Sequence, residues 1–324
     1  MSDRLQSYQL EDLIAHGSKS PYFASLYSQL QAICWELGIT EESKILDNLK
    51  RLWLPLALKL VQARNKSQQT LIQGILGSQG TGKSTLCKIL KPIVNYLGFS
   101  LAVLSIDDLY LTYAERKTLQ KQDPRLIWRG PPGTHDVELG LRIIEQCLQA
   151  NTEISLPRFD KSAHNGMGDR TASEIVPPPD ILLFEGWFVG VEPIATSFFD
   201  HPPTPIVTPD ERQFALDCNQ RLKAYLPLWD KLDGLVVLYP EDYRLAKQWR
   251  KDAEHKMIAL GKTGMSDLEI DRFVEYFWQA LHPELFITPL TQAQVLLSGD
   301  RQGIFAVVKI NQERRLQKIT GLVP

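Results

Sequence analysis

TLIQGILGSQGTGKSTLCKILKPIVNYLG (70–98) is the stretch that decides the fold. A short apolar run, Thr70–Leu76, enters Gly77-Ser78-Gln79-Gly80-Thr81-Gly82-Lys83-Ser84, which satisfies GxxxxGK[ST] at every fixed position. A helix-like pattern then runs from Lys83 to Leu97 and stops at Gly98. Strand, glycine loop and helix in that order make a phosphate cradle. Without Cβ atoms, the backbone N–H groups can turn inward around an anion at a helix N-terminus. Lys83 is placed to reach the outer phosphates and the Ser84 hydroxyl to meet a divalent cation, with Thr85 next on the helix. With Gly at about 7% of residues, a chance match in a chain of this length has odds on the order of 1%.

Outward from this loop, more β-branched apolar runs appear at LAVLSI (101–106), ILLFEG (181–186), GLVVLYP (234–240) and IFAVVKI (304–310). Helical patterns at 136–150, 208–226, 241–260 and 267–281 separate most of them. Buried strands alternating with helices predict an α/β fold, a mainly parallel sheet covered on both faces. Stretches 113–135 and 157–180 carry Pro, Gly and charge without periodicity and read as loops.

Upstream, residues 1–66 read as helices only, an extension in front of a 67–324 domain. Ser20-Pro21 opens a helix with Phe23, Leu26, Leu30, Ile33 and Leu37 on one face and Gly38 as its stop. A second pattern after Thr40 carries Ile45, Leu49, Leu52, Trp53, Leu56 and Leu60, and Pro55 is expected to kink or break it.

Composition narrows the possibilities. The chain of 324 residues balances 36 basic against 38 acidic side chains, so it lacks the positive excess of a nucleic-acid-coating protein. Its 44% hydrophobic and 23% charged content is that of a globular protein. No apolar run approaches the ~18 residues of a membrane span. Met1-Ser2-Asp3-Arg4 starts polar, without an apolar signal core, so the expectation is a cytosolic protein with no membrane partner. Cys34, Cys87, Cys147 and Cys218 are scattered in apolar helical patterns and read as small buried hydrophobes.

The phosphate loop alone leaves several classes open. A guanine-reading NKxD tetrapeptide is absent, and the second acidic strand ends in a lone Glu185 rather than Asp-Glu. Asp107 and Asp108 follow directly on an apolar strand, at the sheet edge where ligands bind. Transfer to a hydroxyl needs a carboxylate near the nucleophile and another near the cation. Asp107 fits the first role and can share the second; Glu185 fits the second.

The glycine loop followed by SIDDLYLT (105–112) and FEGW resembles the phosphoribulokinase/uridine kinase branch of P-loop kinases. With RGPPGTHD (129–136), LPRFDKSAHNGMGDR (156–170), LLFEGWFVG (182–190) and WRKDAEHKMIALGKTGMSD (249–267), the chain resembles plant-type D-glycerate 3-kinase over about residues 70–324. Leu109 stands where an aromatic is more usual. The resemblance implies ATP and Mg²⁺, with Asp107 as general base and Glu185 supporting the metal. It also implies an acceptor site bordered by Asp108, Tyr110, Arg129, Thr134, His135 and Asp136. The reaction implied is phosphorylation of D-glycerate at O3, in photorespiratory glycolate salvage.

Two further segments carry charge suited to that site. Arg158, Lys161 and Arg170 lie just ahead of the Glu185 strand, and guanidinium groups are the better carboxylate binders. Lys247, Arg250 and Lys251 form a basic stripe ahead of Gly261-Lys262-Thr263-Gly264 and a Ser266–Glu269 capping box. This is the pattern of a lid at about 250–281, with Arg250 aimed at the transferring phosphoryl group. A same-fold kinase for a nucleoside or pantothenate is the alternative enzyme. A nucleotide-switched assembly factor, using residues 1–66 as its partner surface, is the alternative outside catalysis.

Overall fold

The computed structural model describes residues 21–149, 152–259, 261, 264–292 and 305–322. The polar start at Met1–Arg4, the Ser20 cap, and Lys262 and Thr263 of the glycine connector fall outside these residues.

Helix α1 (Pro21–Glu36) ends two residues before Gly38, whose φ of +77° suits only glycine comfortably. Helix α2 (Glu42–Asn48) runs through a π-turn, Leu49–Trp53, into α3 (Leu54–Ser67). Pro55 therefore does not break the chain's helical course. The widened turn just upstream accommodates a ring and a missing N–H that a regular α-ladder would reject.

Next come β1 (Leu71–Gly77), α4 (Lys83–Tyr96) and β2 (Leu101–Ser105). Helices α5 (Tyr113–Gln122) and α6 (Val137–Gln149) lead to the strands β3 (Ile154–Asp160) and β4 (Asp169–Val176), and then β5 (Ile181–Gly186). Helices α7 (Pro209–Arg221) and α8 (Leu226–Trp229) precede β6 (Gly234–Pro240). Helices α9 (Leu245–Ala259), α10 (Asp267–Ala280), α11 (Pro283–Phe286) and α12 (Thr288–Gln292) and strands β7 (Phe305–Ile310) and β8 (Leu316–Thr320) complete the order.

The main sheet runs β2-β5-β1-β6-β7-β8, parallel throughout except for β8 at the edge. All residues of β1, β5 and β6 are buried, which is why these runs are mainly apolar rather than alternating, with Gln73 and Glu185 as buried polar residues within them. One face packs on α6, α7 and α10, through Ile144, Phe184, Phe214 and Phe277. The other packs on α4 and the N-terminal helices, through Leu30, Leu56, Leu60, Ile75 and Leu90.

Two stretches expected as loops are ordered. In 113–135, α5 has no buried residue, so no apolar stripe marks it; its signal is the Thr112–Glu115 capping box. In 157–180, β3 and β4 pair antiparallel as a separate two-stranded ribbon. Most of β4 is exposed, so no apolar alternation marks it. The helix expected over 208–226 gives way after Arg221 to a 3-10 turn, Leu222–Tyr225. All four cysteines are buried free thiols, and burial pushes Cys147 and Cys218 up to about 12. Among the described residues no helix is long and apolar enough to cross a membrane.

Candidate active site

Because the five strands run parallel, the loops that carry charge leave the sheet at one edge. From β1 the chain turns through Gly77–Gly82 into α4. Gly80 and Gly82 adopt φ of +81° and +90°, and a Cβ on Gly80 would lie 2.8 Å from Cβ of Trp249 on α9. Lys83 Nζ donates to the Ser78 carbonyl at 3.2 Å, so the ammonium curls back over the loop. Burial holds the Lys83 ammonium below its ordinary value, while the carboxylates of Glu185 and Asp107 oppose that shift. Ser78 Oγ is buried without a hydrogen-bond partner, an oxygen left for a ligand in the cradle.

The neighbouring strands supply the acids. At the end of β5, Glu185 is 7% exposed, and its Oε1 accepts from Ser84 Oγ at 2.9 Å. This oxygen pair is of the kind Mg²⁺ uses when phosphates and water fill its other positions. At the end of β2, Asp107 accepts from the Tyr110 hydroxyl at 2.8 Å and from Lys161 Nζ at 2.6 Å. Burial opposes its charge, but Lys161 and the Tyr110 hydroxyl outweigh it and hold the carboxyl below the usual range. Asp107 is thus an ionised carboxylate at neutral pH.

Asp108 turns the other way. Its Oδ2 meets Arg158 Nη1 at 2.9 Å and its Oδ1 accepts from the Phe159 backbone at 3.3 Å, fastening the end of β2 to the ribbon. Arg158 also meets Glu174 at 2.7 Å, and Arg170 is shared between Asp136 at 2.9 Å and the Tyr110 carbonyl at 2.9 Å. Both guanidinium groups already have carboxylate partners within the fold. Asp136 in addition accepts from the Leu139 backbone at 2.9 Å, capping α6.

Arg129 differs. Among the described residues it forms no ion pair. It donates to the Gly166 carbonyl at 2.8 Å and lies over the rings of Tyr110 and Phe159, at 5.9 and 5.4 Å. Tyr110 thus links the two groups, its hydroxyl on Asp107 and its ring under a guanidinium that has no carboxylate partner among the described residues. Thr134 spends its hydroxyl inside its own turn, accepting from Gly130 N–H and donating to the Pro131 carbonyl.

His135 stacks on Tyr110, with centroids 4.7 Å apart, and its Nδ1 lies 2.8 Å from the Tyr225 hydroxyl. Gly133 N–H donates to that hydroxyl at 2.8 Å, and His135 Nε2 is buried without a hydrogen-bond partner. Burial pushes His135 down to about 3, so the ring is neutral. Nothing in the sequence points to Tyr225, 90 residues away on a 3-10 turn.

The basic stripe on α9 faces α10 rather than open solvent. Lys247 meets Glu275 at 2.6 Å and Lys251 meets Asp271 at 2.9 Å. Arg250 meets Glu254 at 2.8 Å and lies over Phe273. Between this helix pair and Ser78-Gln79 lies an apolar cavity walled by Trp187, Tyr239, Tyr243, Phe277 and Trp278. The Ser266–Glu269 capping box is formed as the spacing predicts.

A parallel sheet with a lysine-bearing glycine loop, a serine paired to a strand-end Glu and an ionised Asp beside it defines a P-loop phosphotransferase. No family model matches the chain. It is 32% identical over 255 residues to a chloroplastic D-glycerate 3-kinase of Arabidopsis thaliana, covering 75% of this chain and 53% of that protein. The chain therefore spans about half the length of that relative. An uncharacterized kinase of Schizosaccharomyces pombe, mug58, is 32% identical over 68% of this chain and 83% of its own. Among solved structures, a D-glycerate 3-kinase from Cryptococcus neoformans superposes with a TM-score of 0.72 at 26% identity, covering 82% of this chain and 97% of that one. The chain belongs to the P-loop small-molecule kinases, in the family that includes the D-glycerate 3-kinases.

Proposed function

We propose that the protein transfers the γ-phosphoryl group of ATP to O3 of D-glycerate, giving 3-phosphoglycerate. The observation that carries this reading is an ionised Asp107 bonded to the Tyr110 hydroxyl, with Arg129, which has no carboxylate partner among the described residues, over the same Tyr110 ring at 5.9 Å. A hydroxy acid needs both groups: a base for the hydroxyl and a guanidinium for the carboxylate. With the carboxylate on Arg129, the primary hydroxyl is the far end of the molecule and the one free to approach the phosphate in line.

The P-loop amides and Lys83 bind the phosphates, and Asp107 orients the hydroxyl and takes its proton. For that, Lys161 must release or share Asp107, which leaves its ammonium free for the transferring phosphoryl oxygens. Ser84 and Glu185 would hold a Mg²⁺, which would supply positive charge to offset the charge developing on the phosphates. The α9–α10 pair, with Arg250, is the proposed lid of a kinase body spanning 67–324. Glycolate salvage in the cytosol is the setting that goes with this acceptor.

The test is an acceptor panel of D-glycerate, L-glycerate, uridine, pantothenate and ribulose 5-phosphate. D-Glycerate is expected to give the highest kcat/KM; faster turnover with a neutral acceptor overturns the substrate assignment.

A further inference from the structure

The groups facing the acceptor stand to one side of β1, since β5 and β2 follow it in that direction across the sheet. On the other side, over β6 and β7, a cavity of about 370 Å³ opens against the phosphate loop at Gly80, Gly82 and Thr85. Its floor is Leu238 of β6 and Val308 of β7. Its outer wall comes from outside the strand–helix body: Leu37, Ile39, Thr40 and Lys44, in and around the connection between α1 and α2.

That wall is fastened to the turn between β7 and β8. The Arg315 guanidinium meets both oxygens of Glu41 at 2.7 and 2.6 Å, and Lys44 Nζ donates to the Glu313 carbonyl at 3.0 Å. Nearby, Arg51 on the π-turn after α2 donates to the carbonyl of Leu316, the first residue of β8, at 3.2 Å. The cavity is thus a framed space, and its volume falls in the range of about 300–1,000 Å³ typical of small-molecule sites.

Its chemistry suits one part of a nucleotide. The apolar floor, with the polar and charged side chains of Thr40, Glu41, Lys44, Lys256 and Arg314 in the lining, fits a flat heteroaromatic base and the hydroxyls of its ribose. A triphosphate whose γ end faces Lys83 and Asp107 must carry its nucleoside end toward the other side of β1, where the cavity opens.

We propose that the α1–α2 connection and the first turn of α2, Leu37–Lys44, are part of the nucleotide site and wall the cavity that takes the purine base and ribose. This rests on the nucleotide reading of the P-loop. It gives the N-terminal helices a place in donor binding, which the loop motif alone does not require.

Calorimetric titration with two probes, ATP and inorganic tripolyphosphate, tests it on the full chain. Thr40→Trp fills the cavity from an exposed residue that lies outside both helices. It is expected to weaken ATP binding tenfold or more while leaving tripolyphosphate within twofold. On the wild-type chain, ATP and not tripolyphosphate is expected to slow amide exchange at 37–44. Normal ATP affinity in Thr40→Trp, or equal protection of 37–44 by both probes, overturns the proposal. A wild-type chain that binds neither probe overturns the nucleotide reading itself, a result distinct from a loss confined to ATP in the variant.

Discussion

Asp107 is held by two partners, and each has a separate consequence. The Tyr110 hydroxyl fixes one oxygen, and Lys161 both orients and lowers the other. Asp107→Asn is expected to cut kcat about 10²-fold or more while ATP binding stays within a few-fold, checked by steady-state kinetics beside nucleotide titration. Lys161→Met removes the strongest influence keeping Asp107 ionised. Burial, which acts in the opposite direction, then dominates. The acid limb of kcat/KM should therefore move to higher pH, and an unmoved limb would show that Lys161 does not govern the base. Arg129→Ala is expected to raise the D-glycerate KM at least tenfold and leave the ATP KM nearly unchanged. At this scale the motif residues Lys83, Ser84, Asp107 and Glu185 were legible, because strand ends and a glycine loop announce them. The division of labour among the arginines was not. Arg158 and Arg170 look like Arg129 in sequence, and only their carboxylate partners at positions 108, 174 and 136 set them apart.

The β3–β4 ribbon is the element that organises this side of the site. It brings Lys161 to Asp107, and it is fixed to the end of β2 by Arg158 bridging Asp108 and Glu174. Arg158→Ala leaves Asp108 half-buried and without its cation, which is expected to cost about 1–3 kcal/mol in urea unfolding. Its kinetic effect should fall on kcat through a misplaced Lys161, with the acceptor KM changing less than in Arg129→Ala. The five parallel strands could be read from sequence because they are buried or nearly so along their length, which demands mainly apolar runs. The ribbon could not be read, because its cohesion is a backbone ladder and ion pairs, and its outer strand shows alternation to neither face. Helix α5 escaped for a related reason: with no buried stripe, only its cap betrays it.

The whole molecule has apolar packing on both faces of one sheet, and the N-terminal helices supply much of one of them. Leu30 is 1% exposed and packs in the same cluster as Leu90 and Ile75. Leu30→Ala is therefore expected to cost about 2–5 kcal/mol. Thermal unfolding followed at near-UV wavelengths should show the loss in a single transition shared with the P-loop body; a separate early transition would mean that the helices fold independently. Their helical nature was evident from apolar spacing. Their attachment to the sheet was not, since periodicity says which face is buried and not against what. The most direct test of the proposed chemistry is the product of a reaction between D-glycerate and ATP, read by phosphorus NMR. Phosphate coupled to the two protons of a primary carbon, giving 3-phosphoglycerate, is the predicted result. A 2-phosphoglycerate product, or ATP consumption that does not respond to D-glycerate, would contradict it.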